Sequence, residues 1–378
     1  MIVKIADNII SPLGYTTQKN FEAVVSGDSR IMCRKGFEEL PEEFYGSLFN
    51  REEVAQEILK EIGEEKELTF FEKLCVCSAK KAIDKAGIDA SDENVVFVLS
   101  TTKGNVAYLT EAYEDSRCYI GGSAERIASY FNNPNTPVVV SNACISGVSA
   151  QITAVRLLLS GKYTTAVVTG CDVLSRFIVS GFQSFKALSS QPCRPFDKDR
   201  TGLNLGEAAG TIILQSRETA DINEWHYVSS SVHNDANHIS GPSRTGEGSY
   251  RVLRDITAAL DKNSIAFINV HGTSTAYNDE MESIAIHRAG LDSLPVTGLK
   301  GNYGHTLGAA GIIETILSMK AAEHGVILPT KGYEKQGTTY AVNVSPEVRQ
   351  TDKTVFLKIM SGFGGTNAGI CYEKGGKV

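Results

Sequence analysis

The sequence lacks the features that mark several classes of protein. It has no run rich in lysine and arginine, and its formal net charge is −7, which argues against a general nucleic-acid binder. No apolar stretch reaches the roughly 20 residues that span a bilayer. Met1–Ile5 is followed at once by Asp7 and Asn8, so no signal peptide is expected. We therefore expect a cytoplasmic protein that binds neither nucleic acid nor membrane.

Paired cysteine motifs are also missing from the sequence. Among the eight cysteines the one close pair is Cys75-Val76-Cys77, whose spacing is too tight for a CxxC redox or zinc motif. Most of the others lie in apolar strings, as is typical of small core residues. The 378 residues are 42% hydrophobic and 21% charged, an ordinary globular composition. These features favour a folded, reduced protein without a disulfide framework.

What is present is an alternation of apolar runs and amphipathic segments. The predicted strands are Val95–Ser100, Val138–Asn142, Thr165–Gly170, Gly210–Gln215, Ile265–Val270, Val296–Thr297 and Val355–Met360. The predicted helices are Phe71–Ala86, Gly147–Ser160 and Gly308–His324. Alternation of this kind predicts an α/β fold in which helices cover central sheets.

A weak internal repeat accompanies the alternation. Cys144-Ile-Ser-Gly147 and His305-Thr-Leu-Gly308 each follow a short strand that starts at or after a proline. Each segment opens a helix with small residues, and each helix ends near a glycine. On the pattern alone, both a duplicated α/β half and a chance similarity of two strand–helix units remain open.

Cys144 is the most informative single residue. It lies between a predicted strand and the start of a predicted helix, where unpaired N–H groups and the helix dipole favour a thiolate. A thiolate at such a position predicts a nucleophile for covalent acyl chemistry. The alternative is a buried structural thiol, which is the usual environment of a free cysteine.

Two histidines lie downstream in contexts rich in glycine and threonine. His271 follows an apolar strand, at the strand ends where α/β proteins place their chemistry. His305 starts a helix, whose dipole disfavours imidazolium, so we expect a neutral hydrogen-bond donor. Neither histidine has metal-ligand spacing, and we predict no catalytic metal. The alternative is that His271 only caps the end of its strand.

Two further groups of residues complete the candidate site. Glu314 lies in an apolar helical run, where a carboxylate is costly unless it is paired, and Lys300 is the obvious partner. The alternative is that Glu314 faces solvent. The loop 362–367, Gly-Phe-Gly-Gly-Thr-Asn, lacks the GxxxxGK[ST] pattern of a phosphate loop. We interpret it as a tight turn that gives half of an oxyanion hole, with the N–H of Cys144 as the other half.

Taken in order, these motifs resemble a β-ketoacyl-(acyl-carrier-protein) synthase of the Cys-His-His condensing-enzyme type. The segments that carry the resemblance are Ser11–Gly14, Ala143-Cys144, Arg194–Arg200, His271–Thr275, Lys300 with Gly304-His305, and Gly362–Asn367. The resemblance implies the thiolase fold, with two duplicated α/β halves in a five-layer α-β-α-β-α sandwich. We place the halves at residues 1–215, with Cys144, and 216–378, with His271 and His305.

The resemblance also implies a reaction and a role for each residue. Cys144 would accept an acyl chain from acyl carrier protein, and His271 and His305 would stabilise the enolate formed when malonyl-carrier protein loses CO2. The N–H groups of Cys144 and Phe363 would hold the oxyanion, and the ring of Phe363 would act as a gate. Thr273 and Thr275 would bind the pantetheine arm, and Lys300 paired with Glu314 would orient His305. No bound cofactor is implied, since the substrates travel on the carrier's phosphopantetheine.

Several departures from the family pattern bear on partner and pathway. The loop Ser190–Cys193 is short, and residues 102–135 match poorly, which favours a polyketide or aryl-polyene type of biosynthesis over housekeeping fatty-acid elongation. The candidate cations for docking an acidic carrier protein are Lys66, Lys73 and Lys186. A homodimer is expected, although a heterodimer with a chain-length-factor subunit is also open. The alternative functions are a thiolase-fold acyltransferase that does not decarboxylate its substrate and a non-catalytic chain-length factor.

Overall fold

The computed structural model describes residues 1–110, 116–219 and 221–375. Residues 111–115, part of the poorly matching segment 102–135, lie outside the described residues. The strands are β1 Ile2–Ile10, β2 Met32–Arg34, β3 Phe44–Ser47, β4 Val95–Ser100, β5 Val138–Val140, β6 Thr165–Asp172, β7 Leu205–Gly206, β8 Ala208–Ser216, β9 Trp225–Asn234, β10 Ile265–Asn269, β11 Pro295–Thr297, β12 Val326–Ile327, β13 Asn343–Val344, β14 Arg349–Gln350, β15 Val355–Gly362 and β16 Thr366–Lys374. The helices are α1 Thr17–Val25, α2 Arg51–Ile62, α3 Phe70–Ala86, α4 Ile120–Tyr130, α5 Ser146–Leu159, α6 Arg176–Ser184, α7 Glu247–Thr257, α8 Ala276–Arg288, α9 Lys300–Tyr303 and α10 Ala310–Glu323.

The strand order repeats in the two halves of the chain. The strands of the first half lie in the order β5-β4-β6-β8-β1, and those of the second in the order β11-β10-β15-β16-β9. When these five strands are numbered along the chain within each half, both halves have the same spatial order, 3-2-4-5-1. The halves meet where β1 pairs with β9, at Val3 with His226 and Lys4 with Trp225. The internal repeat is therefore a true duplication in the fold. The boundary at residues 215/216, which falls at the end of β8, stays a prediction.

Helices form the remaining three layers. α5 contacts β4 and β6 of the first half and β16 of the second, while α10 contacts β8 of the first and β15 of the second. These two helices therefore lie between the two sets of strands. α3 covers the outer face of the first set, and α7 covers the outer face of the second. This is the predicted five-layer arrangement.

The central helices pack backbone against backbone. A Cβ built on Gly147 of α5 would lie 2.9 Å from the nitrogen of Gly311, and one built on Gly311 would lie 2.5 Å from the nitrogen of Val148. Real Cβ atoms are essentially never so close to another atom, so only glycine fits at either position. The small residues at both helix starts therefore set how closely the two halves approach.

The predicted helices and strands are all present, and residues close in sequence determine where they begin and end. α3 begins at a capping box between Thr69 and Glu72 and ends at Gly87, whose φ is 64°. β5 ends at Val140 rather than Asn142, because the chain turns there toward Cys144. The helix expected from Gly308 starts as a short 3-10 turn, Leu307–Ala309, before α10. No helix in the described ranges is both long and apolar enough to cross a bilayer.

Candidate active site

Cys144 lies on a strained turn between β5 and α5. The residue before it, Ala143, has φ 45°, a left-handed conformation that costs about 1–3 kcal/mol in a residue with a side chain. Ser146 holds this turn, because its hydroxyl donates to the carbonyl oxygen of Ala143 at 2.6 Å and accepts from the nitrogen of Asn142 at 2.7 Å. The turn directs Cys144 into the layer between the two halves, where the residue is 7% exposed.

Burial dominates the acidity of this cysteine. It raises the pKa of the Cys144 thiol to about 11, while the charge of Lys300 and the backbone N–H of Phe363 act in the opposite direction. The prediction that a helix-start position favours the thiolate is therefore wrong for the resting site, since burial raises the pKa of the thiol by more than Lys300 and the N–H of Phe363 lower it. Because the backbone N–H of Phe363 lowers this pKa, it lies on the side of the sulfur where an oxyanion donor is needed.

The two histidines converge on the sulfur. One ligand atom from each of Cys144, His271 and His305 lies within 4.8 Å of the other two, and all three residues are buried. The imidazole rings are 5.1 Å apart between centroids and nearly perpendicular, at 80°. Sulfur and nitrogen atoms this close could also share a metal ion, so the prediction of a metal-free site stays a prediction.

His305 has a defined tautomer. Its Nδ1 accepts from the backbone nitrogen of Leu307 at 3.1 Å, so the proton is on Nε2, which has no partner among the described residues. Burial, followed by the charges of Lys300 and Lys358, holds the pKa of His305 well below its usual range. His305 is thus a neutral donor, as expected, and burial is the main cause of its lowered pKa.

The backbone of His271 is fixed by a buried carboxylate. The nitrogens of His271 and Gly272 each donate to one oxygen of Glu282, both at 2.7 Å. Burial and the charge of Asp279 raise the pKa of Glu282 to about 7. Burial, Lys300, His305 and Lys358 together lower the pKa of His271 well below the ordinary value, so its ring is also neutral.

Lys300 and Glu314 form the expected pair, but with a different consequence. The ammonium of Lys300 is 2.9 Å from Oε1 of Glu314 and donates at 2.6 Å to the carbonyl oxygen of His271. The pair therefore fixes the main chain of His271, not the ring of His305 as the resemblance implies. Glu314 is 2% exposed, so the alternative that it faces solvent is wrong.

Sequence reasoning missed several buried charges that support these residues. Lys358 is a second cation on Glu314, and Glu282 binds the loop after β10. Asp172 joins the two halves, since it accepts from the nitrogens of Thr102 and Gly308 at 2.9 and 2.7 Å. The one signal in the sequence was a charged residue inside an apolar run, which the pattern Val-Phe-Leu-Lys358-Ile-Met shows.

Phe363 lies between two cavities that both reach Cys144. One cavity, of about 850 Å³, is lined by His271, His305, Thr273 and Thr275. The other, of about 770 Å³, is more apolar and is lined by residues that include Val106, Phe177, Ile178 and Leu307. Phe363 lines both cavities and contacts Phe182 and Phe185, with ring centroids 5.9 and 5.4 Å away.

The mouth of the first cavity carries its own cations. Lys186 and Arg244 are part of its lining, whereas neither Lys66 nor Lys73 lines either cavity in the described chain. In the short loop Ser190–Cys193 the first three residues are exposed, whereas Cys193 is buried and its thiol donates to the carbonyl oxygen of Lys300 at 3.1 Å. The cations at the entrance are thus Lys186, which we expected, and Arg244, which we did not.

Known proteins match both the sequence and the fold. The family models for the N-terminal and C-terminal domains of beta-ketoacyl synthase match residues 9–220 and 226–334. A 3-oxoacyl-[acyl-carrier-protein] synthase 2 of Vibrio cholerae is 25% identical over 97% of each chain. A protein of the same name from Rhizobium meliloti is 34% identical over 64% of this chain and 61% of its own.

A solved structure shows the same fold. A ketosynthase of Xenorhabdus doucetiae, in complex with its chain length factor, superimposes with a TM-score of 0.84. The match covers 99% of this chain and 98% of that chain at 22% identity, which establishes the shared architecture. Because the two domain models match in order over residues 9–220 and 226–334, the chain belongs to the β-ketoacyl synthase family.

Proposed function

We propose that this protein is a β-ketoacyl-acyl-carrier-protein synthase that joins an acyl group on Cys144 to malonyl-acyl-carrier protein. The observation that carries the proposal is the convergence of Cys144, His271 and His305 within 4.8 Å, at the junction of two cavities. One cavity can admit a carrier-bound thioester, and the more apolar one can hold the acyl chain. The relatives named 3-oxoacyl-[acyl-carrier-protein] synthase support the same reaction.

In the first half-reaction the acyl group moves from the carrier to the enzyme. The sulfur of Cys144 attacks the thioester carbonyl, and the N–H groups of Cys144 and Phe363 bind the oxyanion that forms. The carbonyl re-forms as the pantetheine sulfur leaves. One thioester and one thiol are consumed and one of each is produced, so the proton of Cys144 leaves with the departing thiol.

In the second half-reaction the malonyl unit loses CO2. The Nε2–H of His305 and the ring of His271 donate to the malonyl thioester carbonyl, whose oxygen gains negative charge as the carbon–carbon bond to the carboxylate breaks. The enolate carbon attacks the carbonyl of acyl-Cys144. Collapse of the tetrahedral intermediate expels the Cys144 sulfur as a thiolate, which takes one proton from water to restore the thiol, and gives the β-ketoacyl product on the carrier.

The remaining site residues take supporting roles in this proposal. Thr273 and Thr275, whose hydroxyls are 2.9 Å apart on the wall of the first cavity, bind the pantetheine arm. Lys300 and Glu314 hold the main chain of His271, and Phe363 gates the passage between the cavities. Residues 1–215 carry the nucleophile, and residues 216–378 carry the histidines.

Partner and pathway are part of the proposal. The substrates travel on the phosphopantetheine of acyl carrier protein, with no bound cofactor or metal, in a fatty-acid, polyketide or aryl-polyene type of biosynthesis in the cytoplasm. The active species is a homodimer or a heterodimer with a chain-length-factor subunit. A heterodimer is supported by the Xenorhabdus ketosynthase, which was solved with such a factor.

The test separates the two half-reactions. Cys144→Ala should abolish acyl loading, measured by intact-protein mass spectrometry with acyl-carrier protein, because the thioester has no other nucleophile in this site. His305→Ala and His271→Ala should each slow release of CO2 from malonyl-carrier protein by about 10²–10³-fold while sparing loading more. Cys371→Ala is the matched control, because it removes another buried thiol, on β16, that lines neither cavity.

Each contrary outcome has a distinct meaning. Stable acylation of the Cys144→Ala variant would remove Cys144 from its role. If the histidine variants lost loading and kept decarboxylation, their roles would be reversed. A wild-type enzyme that loads acyl groups but releases no CO2 would instead be a thiolase-fold acyltransferase that does not decarboxylate its substrate.

A further inference from the structure

Lys358 is a fully buried cation that the proposed reaction does not use. It lies in the middle of β15, in an otherwise apolar strand, and is 0% exposed. Its ammonium donates to Oδ1 of Asn269 at 2.6 Å and to the carbonyl oxygen of Val270 at 3.0 Å. It also forms an ion pair with Oε2 of Glu314. An apolar side chain would satisfy the strand without the cost of burying a charge.

The contacts of Lys358 form a clamp together with Lys300. Lys300 donates to the carbonyl oxygen of His271, and Lys358 donates to the carbonyl oxygen of the residue before it, Val270. The two lysines bind opposite oxygens of the same carboxylate, Glu314. Asn269, Val270 and His271, at the end of β10, are thus all held by one buried charge cluster. The last of the three residues carries the imidazole ring of the site.

The cluster also has an electrostatic consequence. Two ammonium groups share one carboxylate, so the layer behind the histidines carries more positive than negative charge from these three residues. Charge placed in advance where an enolate develops stabilises the transition state more than it does the neutral substrate. Lys358 therefore fixes the position of His271 and adds positive potential near the developing negative charge.

We propose that Lys358 is a positioning residue for malonyl decarboxylation, acting on His271 through Val270, Asn269 and Glu314. The inference rests on the proposed function and deepens it. Acyl loading depends on the sulfur of Cys144 and on the N–H groups of Cys144 and Phe363, none of which Lys358 contacts. Loss of Lys358 should therefore affect the two half-reactions unequally.

The experiment compares two substitutions with a matched control. Lys358→Met keeps the length of the side chain but removes both the charge and the donor, whereas Lys358→Gln keeps an amide donor. Lys353→Met is the control, because Lys353 donates to the carbonyl oxygen of Ile265 at 3.3 Å, at the opposite end of β10 and away from Glu314. Each purified variant is assayed for loading of Cys144 and for release of CO2 from malonyl-carrier protein.

We expect Lys358→Met to lower kcat for CO2 release by about 10²-fold, since small misplacement of a catalytic group has effects of that size. KM for malonyl-carrier protein and the rate of Cys144 loading should stay within about threefold of wild type, because the binding cavity and the oxyanion hole are unchanged. Lys358→Gln should recover part of the lost kcat, and Lys353→Met should behave as wild type.

The outcomes distinguish this inference from the function on which it rests. Equal losses of loading and decarboxylation in both Lys358 variants would show a merely structural role, and unchanged rates in both would also overturn the inference. If thermal unfolding shows that Lys358→Met does not fold, the rates of loading and decarboxylation are compared in Lys358→Gln instead. A wild-type protein that neither loads nor decarboxylates would instead overturn the proposed function.

Discussion

Replacing Glu314 by glutamine should reveal how much the buried charge cluster contributes to stability. The carboxylate is 2.9 Å from the ammonium of Lys300 and also pairs with Lys358, with all three side chains buried. At an effective dielectric of 20 a contact of that length has a Coulomb energy of about 6 kcal/mol, which is largely offset by desolvation. Glu314→Gln leaves two buried ammonium groups without an anion.

The expected loss is about 3–5 kcal/mol in the free energy of unfolding, the usual result of removing one partner from a buried ion pair. For 378 residues the unfolding entropy is about 0.8 kcal/mol/K, so the melting temperature should fall by about 4–6 °C. Glu323→Gln is the control on the same helix. Its partly exposed carboxylate is 3.4 Å from Lys320 and accepts from the indole N–H of Trp225 at 2.9 Å, a bond that the amide oxygen of glutamine can also accept, so this substitution should change stability by less than about 1 kcal/mol.

The pH dependence gives a second check of the same variant. Burial lowers the pKa of Lys358 to about 8, although Glu314 opposes that shift. Between pH 8 and the ordinary lysine pKa the unfolded chain binds more protons, so this residue makes the folded wild type more stable as pH rises. Without Glu314 the pKa of Lys358 falls further, so the rise in stability with pH begins at a lower pH than in the wild type. The deficit of Glu314→Gln should therefore shrink as pH is raised from 6 to 8.

The assay is thermal unfolding of the wild type, Glu314→Gln and Glu323→Gln across that pH range. A melting temperature for Glu314→Gln within 1 °C of both the wild type and the control would refute the reasoning. It would mean that water or a nearby group compensates the two lysines. A deficit that grows with pH would show that the sign assigned to Lys358 is wrong.

Two other predictions concern the nucleophile and the entrance. Because the pKa of Cys144 is raised to about 11, its alkylation by iodoacetamide should accelerate roughly tenfold per pH unit between 7 and 10, followed by peptide mass spectrometry; a plateau below pH 9 would show a preformed thiolate. Lys186→Glu should slow acyl transfer from acyl-carrier protein several-fold while sparing a small pantetheine thioester, since Lys186 lines the cavity mouth. Lys66→Glu, beyond both cavities and beside Glu64, should change neither rate, and equal effects of the two reversals would count against docking at this mouth.

The elements that were predicted well are those whose signal is local. A run such as Val95–Ser100 is buried along its whole length, so its apolar pattern defines the strand directly. Cys144, His271 and His305 were found because each follows a strand end and lies beside small residues. Their convergence was not visible in the spacing, because the two strand–helix units come together only through the duplicated halves.

The features that the sequence did not predict are contacts between residues far apart in the chain. Lys358 is 89 residues from Asn269 and 44 from Glu314, so no window of sequence shows the clamp. Lys300 binds a backbone carbonyl, which carries no residue-specific signal. The helix start beside Cys144 could be predicted from the sequence, whereas the burial that raises the pKa of its thiol could not. Likewise, the sequence gives the cations but not which of them face the entrance.

The close contact between α5 and α10 has a consequence for how the enzyme forms. Gln151 donates to the carbonyl oxygen of Gly147 in its own helix and, at 3.0 Å, to that of Gly311, which is 160 residues away in the chain. Contacts between such distant residues form slowly, because a large loop must close before they are made. During refolding the helices and strands should therefore appear well before Cys144 can be acylated, so that recovery of the helical circular-dichroism signal precedes recovery of activity.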